Sequence, residues 1–223
     1  MEPETVIFAL WGVGDLFATE LIDRLTEAGA VSVQANIADA EVADAMLRLT
    51  TFDIPIQAVL VLTARTGMDI PAVISALKPV AQRVEGWRVE TFTPLPPPSV
   101  GVRERTPGLA NMAFLRRPVD QPYEEWLDHW RNRHTEIAIA VQATFGYVQH
   151  RVIGPVTATA PDVAAVVEEL FPIEALTDPH AFYGSGGDAA ELGRRIETMM
   201  RSVAAFGADR DIDVVPTSRY ILR

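Results

Sequence analysis

The sequence predicts an α+β chain of two ferredoxin-like repeats whose antiparallel sheets pack as an α/β barrel. The order of elements read from hydrophobic periodicity, β-α-β-(α)-β-α-β, occurs once before a Pro-rich stretch and again after it, with a period of about 105 residues. Each half therefore carries the split β-α-β pattern of a four-stranded antiparallel sheet with its helices on one face. Such a sheet leaves its other face bare. If that face is apolar, the nearest cover is the bare face of the other half, and two stacked sheets enclose an interior lined by both. The linker makes this pairing intramolecular, which favours closure within one chain.

The first repeat is assigned to residues 1–95. Residues 6–11 are an apolar run of strand length, and Gly12-Val13-Gly14 turns the chain. Asp15 is placed to cap a helix with Leu16, Phe17, Leu21, Ile22 and Leu25 at helical spacing, ended by Ala28-Gly29. Val31, Val33, Ala35 and Ile37 alternate with more polar residues as a half-buried strand does, and 39–49 reads as a short helix. A buried strand follows over 56–63, a helix from Asp69 or Ile70 towards Pro79, and an alternating strand over 87–92. The stretch 93–108 is rich in Pro and Gly and has no apolar period; 96–108 is assigned as an extended linker.

The second repeat is assigned to 109–223. It reads as a strand over 109–115, a long helix from Pro122 to about Phe145, and strands over 146–153 and 163–171. Then come a short helical piece over 173–176, an aromatic loop over 180–187, a long helix over 188–206, and a final strand in two pieces, 214–215 and 220–222.

Composition narrows the function. With 48% hydrophobic and 22% charged residues, the 223-residue chain is of ordinary globular type. A formal charge of −11 repels nucleic acid and anionic lipid. The absence of cysteine removes disulfides, thiolate nucleophiles and cysteine-ligated metals together. The start of the chain is acidic where a signal peptide is basic, and no apolar run has membrane-spanning length, so a cytoplasmic location is expected.

The chemistry concentrates on the helix after Pro122. At about 100° per residue, Tyr123, Trp126, Leu127, Trp130, Ile137 and Val141 form one stripe, and His134 falls on it. A histidine there is either a core residue with both nitrogens bonded or a general acid or base, since its unperturbed pKa lies near neutrality. In the next strand, Tyr147, Gln149 and Arg151 share one face, and Val148, His150 and Val152 the other. Tyr147 is placed to hydrogen-bond a developing oxyanion, or to be an aromatic core residue. Glu168 and Glu169 are adjacent in an apolar strand, so one points to each face; Glu168 is the candidate, unless the strand is an edge and both are solvated. His180 and Tyr183 precede Gly184-Ser185-Gly186-Gly187, which is either a lid or an ordinary surface turn. Gly12-Val13-Gly14 does not read as a dinucleotide turn, because Phe17 stands where a small residue belongs. His129 and His134 lie on different faces of the helix, so no metal site is expected.

The run Phe114-Leu115-Arg116-Arg117-Pro118, then Tyr123-Glu124-Glu125-Trp126-Leu127-Asp128-His129-Trp130-Arg131-Asn132-Arg133-His134, with Gly146-Tyr147-Val148-Gln149-His150 opening the next strand, resembles the signature of the EthD-like family of the dimeric α/β-barrel superfamily. The resemblance covers 109–223; the first repeat matches only in order of elements, its helix is shorter, and it contains no histidine. The resemblance implies a helix histidine at the mouth or wall of a barrel cavity. It also implies cofactor-free action on hydrophobic or phenolic molecules by cyclisation, dehydration, decarboxylation or oxygenation. One site per chain is expected, built by the second repeat and roofed by the first. His134, Tyr147 and Glu168 are its catalytic candidates, and Trp126, Trp130, His150, His180 and Tyr183 its substrate-binding candidates. The leading expectation is a cofactor-independent lyase, dehydratase or cyclase acting on a phenolic or polyketide-like compound. The alternatives are a non-catalytic binding module and a haem-binding or oxygenase protein with His134 as axial ligand. Neither a metal nor a nucleic-acid or membrane partner is expected, and a homodimer is compatible.

Overall fold

The computed structural model describes residues 3–223, so the acidic Met1 and Glu2 lie outside the described residues. Eight strands form one closed antiparallel barrel in the order β1-β3-β2-β8-β5-β7-β6-β4. The strands are β1 (Glu4–Trp11), β2 (Ser32–Ile37), β3 (Ala58–Ala64), β4 (Arg83–Leu95), β5 (Leu109–Leu115), β6 (Gly146–Pro155), β7 (Ala165–Phe171) and β8 (Asp213–Ile221). Each repeat keeps the ferredoxin-like order: β4-β1-β3-β2 in the first, β8-β5-β7-β6 in the second. Two seams join them within the chain. The β4–β6 seam runs from Trp87 opposite Pro155 to Leu95 opposite Tyr147; the β2–β8 seam runs only from Gln34 opposite Ile221 to Ile37 opposite Ser218.

Alternation along the strands sorts the apolar residues into separate cores. Ile7, Trp11, Val59, Trp87, Met112, Phe114, Val166 and Val215 fill the barrel from both repeats, as the two bare sheet faces require. Outside the barrel, α1 (Thr19–Glu27) and α2 (Ile70–Leu77) cover the first sheet through Leu21, Leu25, Val73 and Leu77. Over the second sheet lie α3 (Tyr123–Asp128), a π-helical segment (His129–His134), α4 (Thr135–Val141), α5 (Pro179–Tyr183) and α6 (Ala189–Ala205). Asp188 caps α6 by accepting from the backbone N–H of Ala190 and Glu191. No helix among the described residues is long and apolar enough to cross a membrane.

Several elements differ from expectation. The helix expected over 39–49 shrinks to a single 3₁₀ turn, Ala40–Val42, capped by Asp39. Beyond it the chain is extended enough for Leu49 to bridge Val214 of the second repeat. Asp15 bonds the N–H of Phe17 in a turn, and α1 starts only at Thr19. Strand β4 continues past the expected Phe92 into the start of the Pro-rich stretch and ends at Leu95, with a register shift before Leu95 that accommodates Pro94. The final strand is continuous through Pro216. There β2 has not yet begun to pair with β8, so a missing N–H is tolerated. The aromatic loop contains the helical turn α5, closed by Gly184 at φ 63°.

Candidate active site

A cavity of about 300 Å³ lies between the outer face of the second sheet and its helices, not inside the barrel. Its floor is Ala113 and Leu115 on β5, Val167 and Glu169 on β7, Tyr147 on β6 and Val214 on β8; its walls include Trp130, His134, Tyr183, Met199, Val203 and Phe206. The first repeat contributes only Leu47 and Leu49, so its roofing role is confined to one loop.

His134 reaches the cavity from the π-helical segment. In a π turn the backbone bonds run i to i+5, which widens the helix. Here the Trp130 carbonyl is met by the Thr135 hydroxyl at 3.2 Å, and that hydroxyl accepts from Gln149 Nε2 at 2.8 Å. Strand β6 thus braces the bulge. The His134 ring packs against Phe206 with centroids 4.8 Å apart, and its Nδ1 lies 3.0 Å from Ser202 Oγ on α6. Burial, with a smaller effect of His129, pulls its pKa down from 6.5 to about 4, so the imidazole is neutral at pH 7. Where Nδ1–H donates to Ser202, Nε2 carries the lone pair.

Tyr147 lines the floor, is 1% exposed, and has its pKa pushed well above 10 by burial and by the neighbouring Glu169. Its neutral hydroxyl is a donor at any working pH. Trp130 lines the cavity and stacks on Trp126 at 5.3 Å; Trp126 is fully buried behind it and supports it from outside the lining. The indole N–H of Trp130 and the side-chain oxygen of Gln142, both on residues lining the cavity, have no protein partner. Tyr183 is also in the wall.

Other candidates lie elsewhere. Glu168 is a correction: strand alternation turns it into the barrel, on the opposite face of β7 from His134 and Tyr147. There its Oε1 accepts from Gln34 Nε2 at 2.9 Å and Asn36 Nδ2 at 2.7 Å, and Arg219 Nε stands 3.1 Å away. His150 also faces the barrel interior, as the parity of β6 requires, with Nδ1 2.9 Å from Thr91 Oγ1 and a pKa brought to about 4 by burial. His180 is outside the cavity lining, its Nδ1 2.6 Å from Ser185 Oγ. The sequence reading missed Glu169 as the cavity carboxylate, Ser202 as the histidine anchor, and Asn111. The signal for Glu169 was the shared face: it pairs directly with Tyr147, and antiparallel partners point the same way.

A haem does not fit these residues. The cavity is at the small end for ligand pockets, and among the described residues no Lys or Arg lines it to offset propionates, whereas Glu169 and Asp209 do line it.

Barrel and helices together form a closed eight-stranded antiparallel barrel with its helices packed outside, an architecture found among solved structures. Solved structures with this fold include an anthrone oxidase-like protein, 12% identical, with a TM-score of 0.57 over 100% of this chain and 94% of that one. A variant of chlorite dismutase from Candidatus Nitrospira defluvii is 11% identical, with a TM-score of 0.52 over 98% and 92%. A protein assigned as a monooxygenase from Lactobacillus acidophilus NCFM is 11% identical, with a TM-score of 0.50 over 98% and 94%. At such identities the likeness establishes the fold alone. No protein-family model and no curated protein matches the chain.

Proposed function

We propose that the cavity is the active site of a cofactor-independent enzyme that moves protons on a small apolar, oxygenated compound of phenolic or polyketide-like type. One observation carries this reading: a neutral imidazole, anchored through Nδ1 by Ser202, in the wall of an apolar cavity of about 300 Å³. His134 Nε2 takes a proton from a hydroxyl or from a carbon beside a carbonyl, and Tyr147 donates a hydrogen bond to the oxyanion that develops. The enolate so formed expels hydroxide in a dehydration or attacks a second carbonyl in a cyclisation. The EthD-like pattern from Phe114 to His150 supports the same reading. A second reading, cofactor-free oxygenation, is favoured by the anthrone oxidase-like and monooxygenase neighbours, because an electron-rich enolate is also what reacts with dioxygen.

The test is deuterium exchange at the α-carbon of 1-tetralone and of anthrone in D₂O, followed by NMR. His134→Ala should slow the protein-dependent exchange by roughly 10²- to 10⁴-fold. A loss below about threefold on both compounds would remove His134 as the base. Anthraquinone formed from anthrone under air, and dependent on His134, would select the oxygenase reading.

A further inference from the structure

Glu169 stands in register between Asn111 on β5 and Tyr147 on β6. Directly paired residues have Cβ atoms about 5 Å apart, so three polar side chains form a row on this face of the sheet, with Glu169 and Tyr147 lining the cavity and Asn111 beside them. Asn111 is 1% exposed, and neither atom of its amide has a protein partner. Glu169 is half-buried and lines the cavity, no cation there offsets its desolvation, and its pKa is pushed from 4.5 up to about 7. A lone acid beside an unpaired amide is costly in such a site unless something else completes them.

The groups facing this carboxyl from the surrounding elements are few. Tyr147 and Asn111 flank it on the sheet; Tyr183 comes from α5, His134 from the π segment, and Asp209 lies beyond α6. Among the described residues no Lys or Arg lines the cavity. Arg195 of α6 is committed to Glu191 and to the Tyr183 carbonyl, and Arg219 lies on the other face with Glu168. His134 and Glu169 form no ion pair, and neither shift is caused by the other, so they act from separate points of the wall.

We propose that Glu169, in its protonated form, is the hydrogen-bond donor that recognises a carbonyl oxygen of an uncharged ligand, with Asn111 and Tyr147 orienting the carboxyl group from either side. The inference rests on reading the cavity as a proton-transfer site; it names that site's second acid–base group and the charge of its substrate. With the ligand carbonyl on Glu169, the α C–H proton passes to His134 Nε2 and its electron pair forms the enolate. The Glu169 proton then moves to the enolate oxygen, leaving an enol, an imidazolium and a carboxylate. Return of both protons restores the site. An anionic ligand finds no counter-charge here and is excluded.

The experiment is binding of 1-tetralone, an uncharged ketone, followed by quenching of tryptophan fluorescence, to which Trp130 in the cavity wall contributes. Wild-type affinity should hold up to pH 7 and then fall by about tenfold towards pH 9, because only the protonated acid donates. Glu169→Gln keeps an N–H donor at every pH, so it should bind within about threefold of wild type at pH 6 and show no decline to pH 9. Glu169→Ala should bind about tenfold more weakly at pH 6. The proposal is overturned if Glu169→Gln declines with pH as wild type does, if Glu169→Ala binds as tightly as wild type, or if wild type shows no saturable binding at pH 6. His134→Ala separates the two claims. Exchange should be lost in this variant, and persistent exchange would defeat the catalytic reading without touching Glu169.

Discussion

His134 and His150 are both buried and both held near pKa 4, against 6.5 for an exposed ring. A folded state that binds fewer protons than the unfolded one loses stability as pH falls from 6.5 through 4, by at most about 3 kcal/mol for each ring. Glu169 has the opposite sign. Its pKa is raised from 4.5 to about 7, so the folded state holds the extra proton, and stability falls as pH rises through that window. Below 6.5 two histidines oppose one carboxyl, and acid should be destabilising on balance. Glu169→Gln removes only the opposing contribution. Its thermal midpoint should exceed that of wild type at pH 8, by up to about 3 kcal/mol of stability, and the two should converge at pH 4.5. A constant difference across pH would show that Glu169 is not the residue paying the burial cost. This behaviour could not be read from residue identities, because Glu168 and Glu169 lie in a strand whose two faces are both buried. Such a strand loses the alternation that marks inside from outside. Only the register with Tyr147 separates them.

At the scale of elements, the stripe of Tyr123, Trp126, Trp130 and His134 was legible from spacing, and the strand order of each repeat followed from periodicity. The π-helical segment was not. Its extra residue leaves the apolar pattern intact and is stabilised by distant partners, the Thr135 hydroxyl on the Trp130 carbonyl and Gln149 from β6. The segment matters because it sets the angle between the tryptophans and the histidine. Deleting Asn132, which is exposed and bonds only Asp128, should convert the segment to an ordinary helix and turn His134 by about 100° relative to Trp126. The expected result is a folded protein by circular dichroism whose exchange activity falls as far as that of His134→Ala. The missed 3₁₀ turn at Ala40–Val42 has a similar origin. Residues 46–52 take their shape from the second repeat, through the Met46 N–H on the Leu176 carbonyl, Leu49 on Val214 and the carboxylate of Asp213 on the backbone N–H groups of Thr51 and Phe52.

For the whole molecule, the two faces of the second sheet have separate tasks. The outer face holds the cavity. The inner face holds a polar cluster of Glu168, Gln34, Asn36, Thr217 and Arg219, where the Arg219 guanidinium donates to Thr106 and Gln34 and its Nε stands 3.1 Å from Glu168. Glu168→Ala leaves Arg219 buried without its counter-charge and should cost about 3–5 kcal/mol of stability, read by urea unfolding. Because the change lies behind the sheet, exchange activity per folded molecule should stay at the wild-type level. Loss of activity without loss of stability would mean that the faces communicate. That cluster also sits at the shorter of the two seams, between Gln34–Ile37 and Ser218–Ile221. The barrel is in this respect a bracelet with a hinge at β4–β6 and a clasp at β2–β8. A clasp fastened by few backbone bonds and one buried charge pair is the first place the ring opens, and opening bares two strand edges of matching register. Two opened molecules hold complementary halves of each other's clasp, so the tether between the repeats is what keeps each ring closing on itself.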